Sequence, residues 1–307
     1  MIRLITIFTI SGFLLSLQAL TYEGPHEVCR FKERGEPPVG FICEGAGHGP
    51  LRLLVSDTAI YLLARLTHEL YTFNLSGDVI DSLHLPFCPA DVTYDSQGRL
   101  WFLQSRVEPG FISTYYKGEE VSSMGFSLAD APYITEVCVS PSDECLLLSG
   151  GFAYRLVSTE EGQPNKLVAV GERPGRYQLL DSHIGRIVDT WESEFSGRTE
   201  SVTLSPVRLE PLDRELFQFH ADDRKGRLYV VGTSIQIDDE GEKYITRRLI
   251  VIKDGRILGQ LDGLEAGSSS YDYANHDIAI SPSGDVYLFR THILEEYSHI
   301  LLWKLKE

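Results

Sequence analysis

The chain is short of positive charge, of helical patterning and of long apolar runs, and each shortage closes off a class of function. Lys and Arg number 28 against 44 Asp and Glu, a formal net charge of −16. Acidic pairs recur at Glu119-Glu120, Glu160-Glu161, Asp222-Asp223, Asp238-Asp239 and Glu295-Glu296. A surface of that sign repels phosphate backbones, which sets nucleic acid aside as a partner. Beyond the first residues no segment carries an apolar stripe at helical spacing, which leaves strands as the structural material. No apolar run reaches the roughly 20 residues of a membrane-spanning helix, so no span is expected in the mature chain. Also missing are a nucleophile elbow, a phosphate loop, a His-Glu-x-x-His segment and any Cys-x-x-Cys spacing.

What is present begins with a leader. Arg3 is the only charge before Glu23, and Leu4 to Leu17 ("LITIFTISGFLLSL") is almost wholly apolar, ending near the small residue Ala19. This fits a signal peptide over residues 1–19, a single domain over 20–307, and a secreted or periplasmic location. An uncleaved anchor is the alternative, because Leu17 stands where a small residue is usual. Export makes disulfides the first reading of the cysteines. Cys138 and Cys145 flank "VSPSDE", and a two-residue turn at Pro141-Ser142 would set them opposite each other. Cys29 and Cys43 could tie the amino-terminal segment to the body, leaving Cys88 over.

The body is periodic. Short apolar runs open after turns at Asp57, Gly98, Glu144, Gly185, Gly226 and Gly284, spaced 41, 46, 41, 41 and 58 residues apart. "GRLWFL", "GRLYVV" and "GDVYLF" are three versions of one phrase. Before each comes an alternating run such as "ADVTY" or "DIAIS", and after it one or two more alternating runs. Period-two patterning with β-branched and aromatic enrichment means strands. Units of about 40 residues with four strands each are propeller blades. The expected fold is therefore an all-β, six-bladed β-propeller of four-stranded blades. The last unit ends three strands in, so an N-terminal strand around Val28 to Cys43 is expected to pair with "LLWKLK" and close the ring.

"DVTYDSQGRLWFL" and "HDIAISPSGDVYLF" resemble strand pairs of the six-bladed NHL-like propellers, a group that includes the gluconolactonase/SMP-30-like lactonases. The resemblance implies a divalent cation, usually calcium, in the central channel, with Asp91 and Asp277 at matching positions and Glu44 as an early carboxylate. Counting back seven or eight residues from the anchors independently finds Asp91, Glu136, Gln178, Gln218 and Asp277 near the starts of five first strands. Carboxylates that converge on a channel repel, and a cation relieves them. Asp91, Glu136 and Asp277 are thus candidate calcium ligands, and neutralising one should stabilise the metal-free protein. The other reading of these residues is hydrogen bonding around a wet channel.

The loop "GSSSYDYANHD" brings Tyr271, Tyr273, Asn275 and His276 near the same channel mouth, where His48 would join them. His220 also lies in a first strand. Asn74-Leu75-Ser76 reads as a glycosylation sequon or a plain turn. Together these features point to a binding module whose channel-mouth face holds a small ligand, a glycan or a protein. The alternative is a cation-dependent, lactonase-like hydrolase with Glu136 as general base. A third reading is an interaction protein with an empty channel.

Overall fold

The structure, a computed structural model, describes residues 20–32, 41–43, 46–48, 52–64, 67–129, 133–139, 143–149, 152–159, 165–172, 176–179, 184–188, 207–208, 216–237, 243–253, 256–264, 277–292 and 297–306. Only the backbone is described at several strand positions, among them 41–43, 46–48, 176–179, 184–188 and 216–222. Among the described residues every regular element is a strand, and five sheets have four antiparallel strands each. The first blade comprises Arg52–Val55, Ala59–Leu63, Glu69–Asn74 and Val79–His84. The second comprises Asp91–Tyr94, Leu100–Gln104, Gly110–Tyr116 and Glu119–Phe126. Glu136–Val139, Cys145–Ser149, Phe152–Val157 and Lys166–Glu172 make the third. A penultimate blade uses Leu216–Asp222, Leu228–Ile237, Lys243–Lys253 and Arg256–Leu261. The terminal blade joins Ile278–Ile280, Val286–His292 and Tyr297–Lys306 to an outer strand from the other end of the chain, Thr21–Lys32.

First strands neighbour first strands. Ile278–Ile280 lies beside Arg52–Val55, which lies beside Asp91–Tyr94, which lies beside Glu136–Val139. Arg176–Leu179 likewise neighbours Leu216–Asp222, which neighbours Ile278–Ile280. Sheets that meet along their first strands and radiate outward form a β-propeller. The fold has a simple cause in the sequence. Both faces of each blade are covered by neighbours, so its second strand is apolar on both sides. Leu62 packs toward the terminal blade with Tyr287 and Phe289, while Leu63 packs toward the second blade with Val92 and Phe102. Trp101 and Leu103 then turn to Val137 and Leu147 of the third blade. Runs such as "YLL" and "LWFL" are the signature of that two-sided burial.

Three expectations are corrected. The described structure has five four-stranded blades, not six. The unit around Gly185 holds a three-stranded sheet of Arg176–Leu179, Ile184–Val188 and Val207–Arg208. Between Val188 and Val207 the sequence carries repeated Ser, Glu and Thr rather than a clean apolar alternation. Next, the amino-terminal partner of Tyr297–Lys306 is Thr21–Lys32, in register from Thr21↔Lys306 to Lys32↔Tyr297. Phe41–Cys43 pairs instead with Ala46–His48 in a small hairpin of its own. Pro37 and Pro38 lack the N–H groups that would carry the ladder from 32 to 43. Finally, Cys138 and Cys145 are not joined by a disulfide. Val139 pairs with Cys145, and Cys138 pairs with Leu146. That one-residue offset puts the two cysteines on opposite faces, Cys145 against Trp101 and Val137, Cys138 against Leu146 and Leu148. Cys29 is likewise a thiol, pushed up to about 12 by burial; the side chain of Cys43 lies outside the described residues.

Candidate functional site

Each first strand starts at one end of the propeller, the leading end, and turns back at the other, the hairpin end. The candidate channel residues belong to the leading end. Asp91 opens its strand with a side chain 0 % exposed. One of its carboxylate oxygens accepts the Val137 N–H of the third blade at 3.0 Å, and the other lies 3.8 Å from Nε of Arg52 in the first blade. Asp91 therefore touches the first strands on both sides of its own. Asp277 is met by a guanidinium: Nη1 and Nη2 of Arg247 donate to its two oxygens at 2.7 and 2.6 Å. Arg247, whose side chain is 3 % exposed, also donates from Nε to the Leu264 carbonyl at 2.8 Å. Through one side chain the penultimate blade thus grips the segment that crosses to the terminal blade.

These contacts answer the question of the repelling carboxylates. Asp277 has its charge offset by Arg247 in a two-pronged pair, the geometry that suits a carboxylate best. Asp91 has a backbone donor and a nearby cation. Among the described residues no three His, Cys, Asp or Glu side chains are grouped to hold a metal ion. Glu136 is half-buried at the start of the third blade, paired with Leu148. A cation at Asp277 would compete with the Arg247 guanidinium for both carboxylate oxygens. The side chains of His48, Gln178, Gln218 and His220 lie outside the described residues, as do Tyr271, Tyr273, Asn275 and His276 altogether. Asn74 is absorbed by its own turn: its Oδ1 accepts from Ser76 and Asp78 N–H, and its Nδ2 donates to Asp78 at 2.9 Å.

The hairpin end holds polar machinery that the turn phrases hid. In "DSQGRLW", Asp95 Oδ1 accepts the N–H groups of Gln97 and Arg99, both at 2.9 Å. Its Oδ2 accepts Arg99 Nε at 2.5 Å and Trp101 Nε1 at 3.0 Å. In "DRKGRLY", Asp223 does the same for Lys225 N–H, Arg227 N–H, Arg227 Nε and the Tyr229 hydroxyl. One aspartate thereby organises the turn, the following arginine and the first aromatic of the second strand. Burial works to raise the Asp95 carboxyl, but hydrogen bonds from Trp101 and Arg99 outweigh it and hold the group below its usual range. Asp223 is likewise raised by burial and lowered further by Arg227 N–H, Tyr229 and the Arg227 guanidinium.

A depressed folded-state value means the stabilisation is present above the unfolded carboxyl pKa, near 3.9, and is lost as pH falls through the lower folded value. Urea midpoints measured between pH 6 and pH 2.5 should therefore fall steeply below about pH 4. Asp95→Asn should flatten that fall, because the group that binds a proton on unfolding is gone.

The same turns are tied to one another around the axis. The Tyr94 hydroxyl donates to the Val55 carbonyl at 2.8 Å, and Ser96 N–H and Oγ donate to Asp143 at 3.0 and 2.6 Å. Arg227 Nη2 donates to the Ser283 carbonyl at 2.7 Å, and Arg224 N–H to that of Pro282 at 3.2 Å. The Arg224 side chain passes on to Asp57, linking the penultimate blade to the first. Exposed apolar residues at this end, Leu75, Val79, Tyr116 and Ile257, sit at the outer turns of three blades, and the leading end has its own set. There the second and third blades expose Val107 (50 %), Tyr133 (85 %) and Phe152 (55 %). Ser105 Oγ donates to the Ile134 carbonyl at 2.6 Å, which draws the loops of Val107 and Tyr133 together. Ser149 pairs with Phe152 just after Leu148 receives Thr135 N–H, so Phe152 belongs to the same corner. Tyr133 has φ +69°, a backbone state that bulky residues rarely take.

No family model matches this chain, and no curated protein does. Solved structures do resemble it. A member of the DUF4221 family from Bacteroides vulgatus is 9 % identical over 95 % of this chain and 99 % of its own, with a TM-score of 0.49. Virginiamycin B lyase from Staphylococcus aureus is 10 % identical over 92 % of this chain and 99 % of its own, at 0.41. A protein of unknown function from Bacteroides caccae is 13 % identical over 72 % of this chain and 84 % of its own, at 0.45. None of these likenesses brings a site residue with it, and the lactonase resemblance rests on the two phrases quoted above.

Proposed function

We propose that the protein is an extracytoplasmic binding module built on the β-propeller, with Thr21–Lys32 closing its ring. Its ligand is uncharged and partly apolar and is held on the leading end. The observation that carries this reading is the contrast between the two ends. The hairpin end is cross-linked turn to turn, and its exposed apolar residues Leu75, Val79, Tyr116 and Ile257 lie apart at the outer turns of three blades. The leading end instead presents Val107, Tyr133 and Phe152 on two adjacent blades. Exposed apolar clusters on a rigid scaffold are where partners are taken, and aromatic side chains supply most of the contact energy. The apolar leader supports export. The arginines beside Asp91 and Asp277 support a structural role for the channel carboxylates and weigh against the cation-dependent hydrolase.

The test is binding of the full mature chain to arrays of neutral oligosaccharides and of extended uncharged peptides. Wild type should retain members of one array. The double variant Tyr133→Ala/Phe152→Ala should lose about thirty-fold or more in affinity for them, the equivalent of one removed hot spot. Arg224→Ala, at the hairpin end, should bind as wild type does. Unchanged binding by the aromatic variant, or loss with Arg224→Ala, would overturn the assignment of the face.

A further inference from the structure

Leu20 sits where two blades meet. Its backbone N–H donates to the Leu258 carbonyl at 2.8 Å, on the outermost strand of the penultimate blade. The next residue of that strand, Gly259, has no side chain, and a Cβ there would stand 2.6 Å from the Leu20 carbonyl oxygen and 3.1 Å from the Leu20 Cβ. The side chains of Leu20 and Tyr22 pack against the core shared by the penultimate and terminal blades, beside Tyr229, Leu261 and Trp303. From Thr21 onward the chain pairs with Tyr297–Lys306. Within three residues the backbone therefore passes from the outer edge of one blade to the outer edge of the next, as a clasp.

The residue before this clasp is Ala19, the small residue that follows the apolar leader. We infer that leader removal at the Ala19–Leu20 bond creates an amino terminus whose docking site is already built, from the Leu258 carbonyl and the bare backbone at Gly259. The inference rests on the export reading above. Hydrolysis adds the hydroxyl of water to the Ala19 carbonyl carbon and its remaining hydrogen to the Leu20 nitrogen, which becomes an amine largely protonated at neutral pH. A charged donor strengthens the bond to the Leu258 carbonyl relative to the amide it replaces. A cut even one residue later would remove the Leu20 bond, and one beyond Tyr22 would remove both side chains from the core. The bond before Leu20 is thus the last one whose cleavage leaves the clasp whole.

The test expresses the full chain, from Met1, in an export-competent cell and determines the intact mass and first residue of the exported protein. The expected result is a chain starting at Leu20. A soluble exported chain that retains residues of 1–19, or that starts beyond Leu20, would overturn the inference while leaving export intact. A protein that stays inside the cell with Met1 would instead overturn the export reading. A second measurement tests the docking site alone. Gly259→Ala in the exported protein should lower the melting midpoint by roughly 2–6 °C, through a clash with backbone that cannot move aside cheaply. Gly125→Ala serves as control, because it lies on the equivalent outer strand of the second blade with nothing closer than 3.5 Å to its added Cβ. It should melt at or above wild type. Equal midpoints for the two variants would contradict a built seat for Leu20.

Discussion

Asp223→Ala is expected to lower stability by about 3–5 kcal/mol, the cost of stranding a buried charge. The Arg227 side chain is 3 % exposed, and Asp223 is its carboxylate partner. The aspartate also accepts two backbone N–H groups and the Tyr229 hydroxyl, so its loss leaves several donors in a dry site. The damage would spread between blades. Arg227 Nη2 holds the Ser283 carbonyl, and the neighbouring Gly284 lets the turn of the terminal blade close over Tyr229 and Arg227. In a chain of this size each kcal/mol moves the thermal midpoint by about 2 °C. Asp95→Ala should cost less, because its partner Arg99 is about a third exposed and water can replace the lost carboxylate. A scanning calorimetry comparison checks both, and equal midpoints for the two variants would contradict the account.

The second large effect reverses the sign that repelling carboxylates would give. If Asp91, Glu136 and Asp277 crowded one another, Asp277→Asn would relieve the metal-free protein. The structure has Arg247 between Asp277 and that outcome. Asp277→Ala should cost about 3–5 kcal/mol, because it leaves a guanidinium 3 % exposed without its carboxylate partner. Asp277→Asn should destabilise in the same direction by less, since an amide oxygen can still accept one N–H. Urea denaturation in chelated buffer measures both. A gain in stability for Asp277→Asn would restore the crowded-carboxylate view.

The propeller was legible because burial on both faces forces an unmistakable pattern on second strands, and "LWFL", "LYVV" and "VYLF" all carry it. The blade count was less so. Equal spacing at Gly185 implied a full unit, but spacing does not report whether enough alternating strands follow an anchor. Register was the weakest point. Asp143 has φ +61° and receives Ser96 of the second blade, and the longer turn it belongs to moves Cys145 one place from the partner that a two-residue turn would assign. Asp91 and Glu136 open their strands and Asp277 stands just before Ile278–Ile280, yet what Asp277 does depends on a residue that no spacing could identify. Arg247 lies 30 positions before Asp277, on a third strand of another blade. By contrast, the aspartates of "DSQGRLW" and "DRKGRLY" were open to discovery. An acid four residues before an arginine and six before an aromatic, twice, is a pattern with a physical purpose.

The central claim is that the leading-end carboxylates brace blades through protein partners. The most direct test is a double-mutant cycle of Arg247→Met and Asp277→Leu, melted with and without added calcium after thorough chelation. The account predicts a coupling energy of about 1–3 kcal/mol, with the double variant more stable than either single one. It also predicts the same wild-type midpoint in calcium and in chelator. Additive single effects, together with a calcium-dependent rise that Asp277→Leu abolishes, would contradict it.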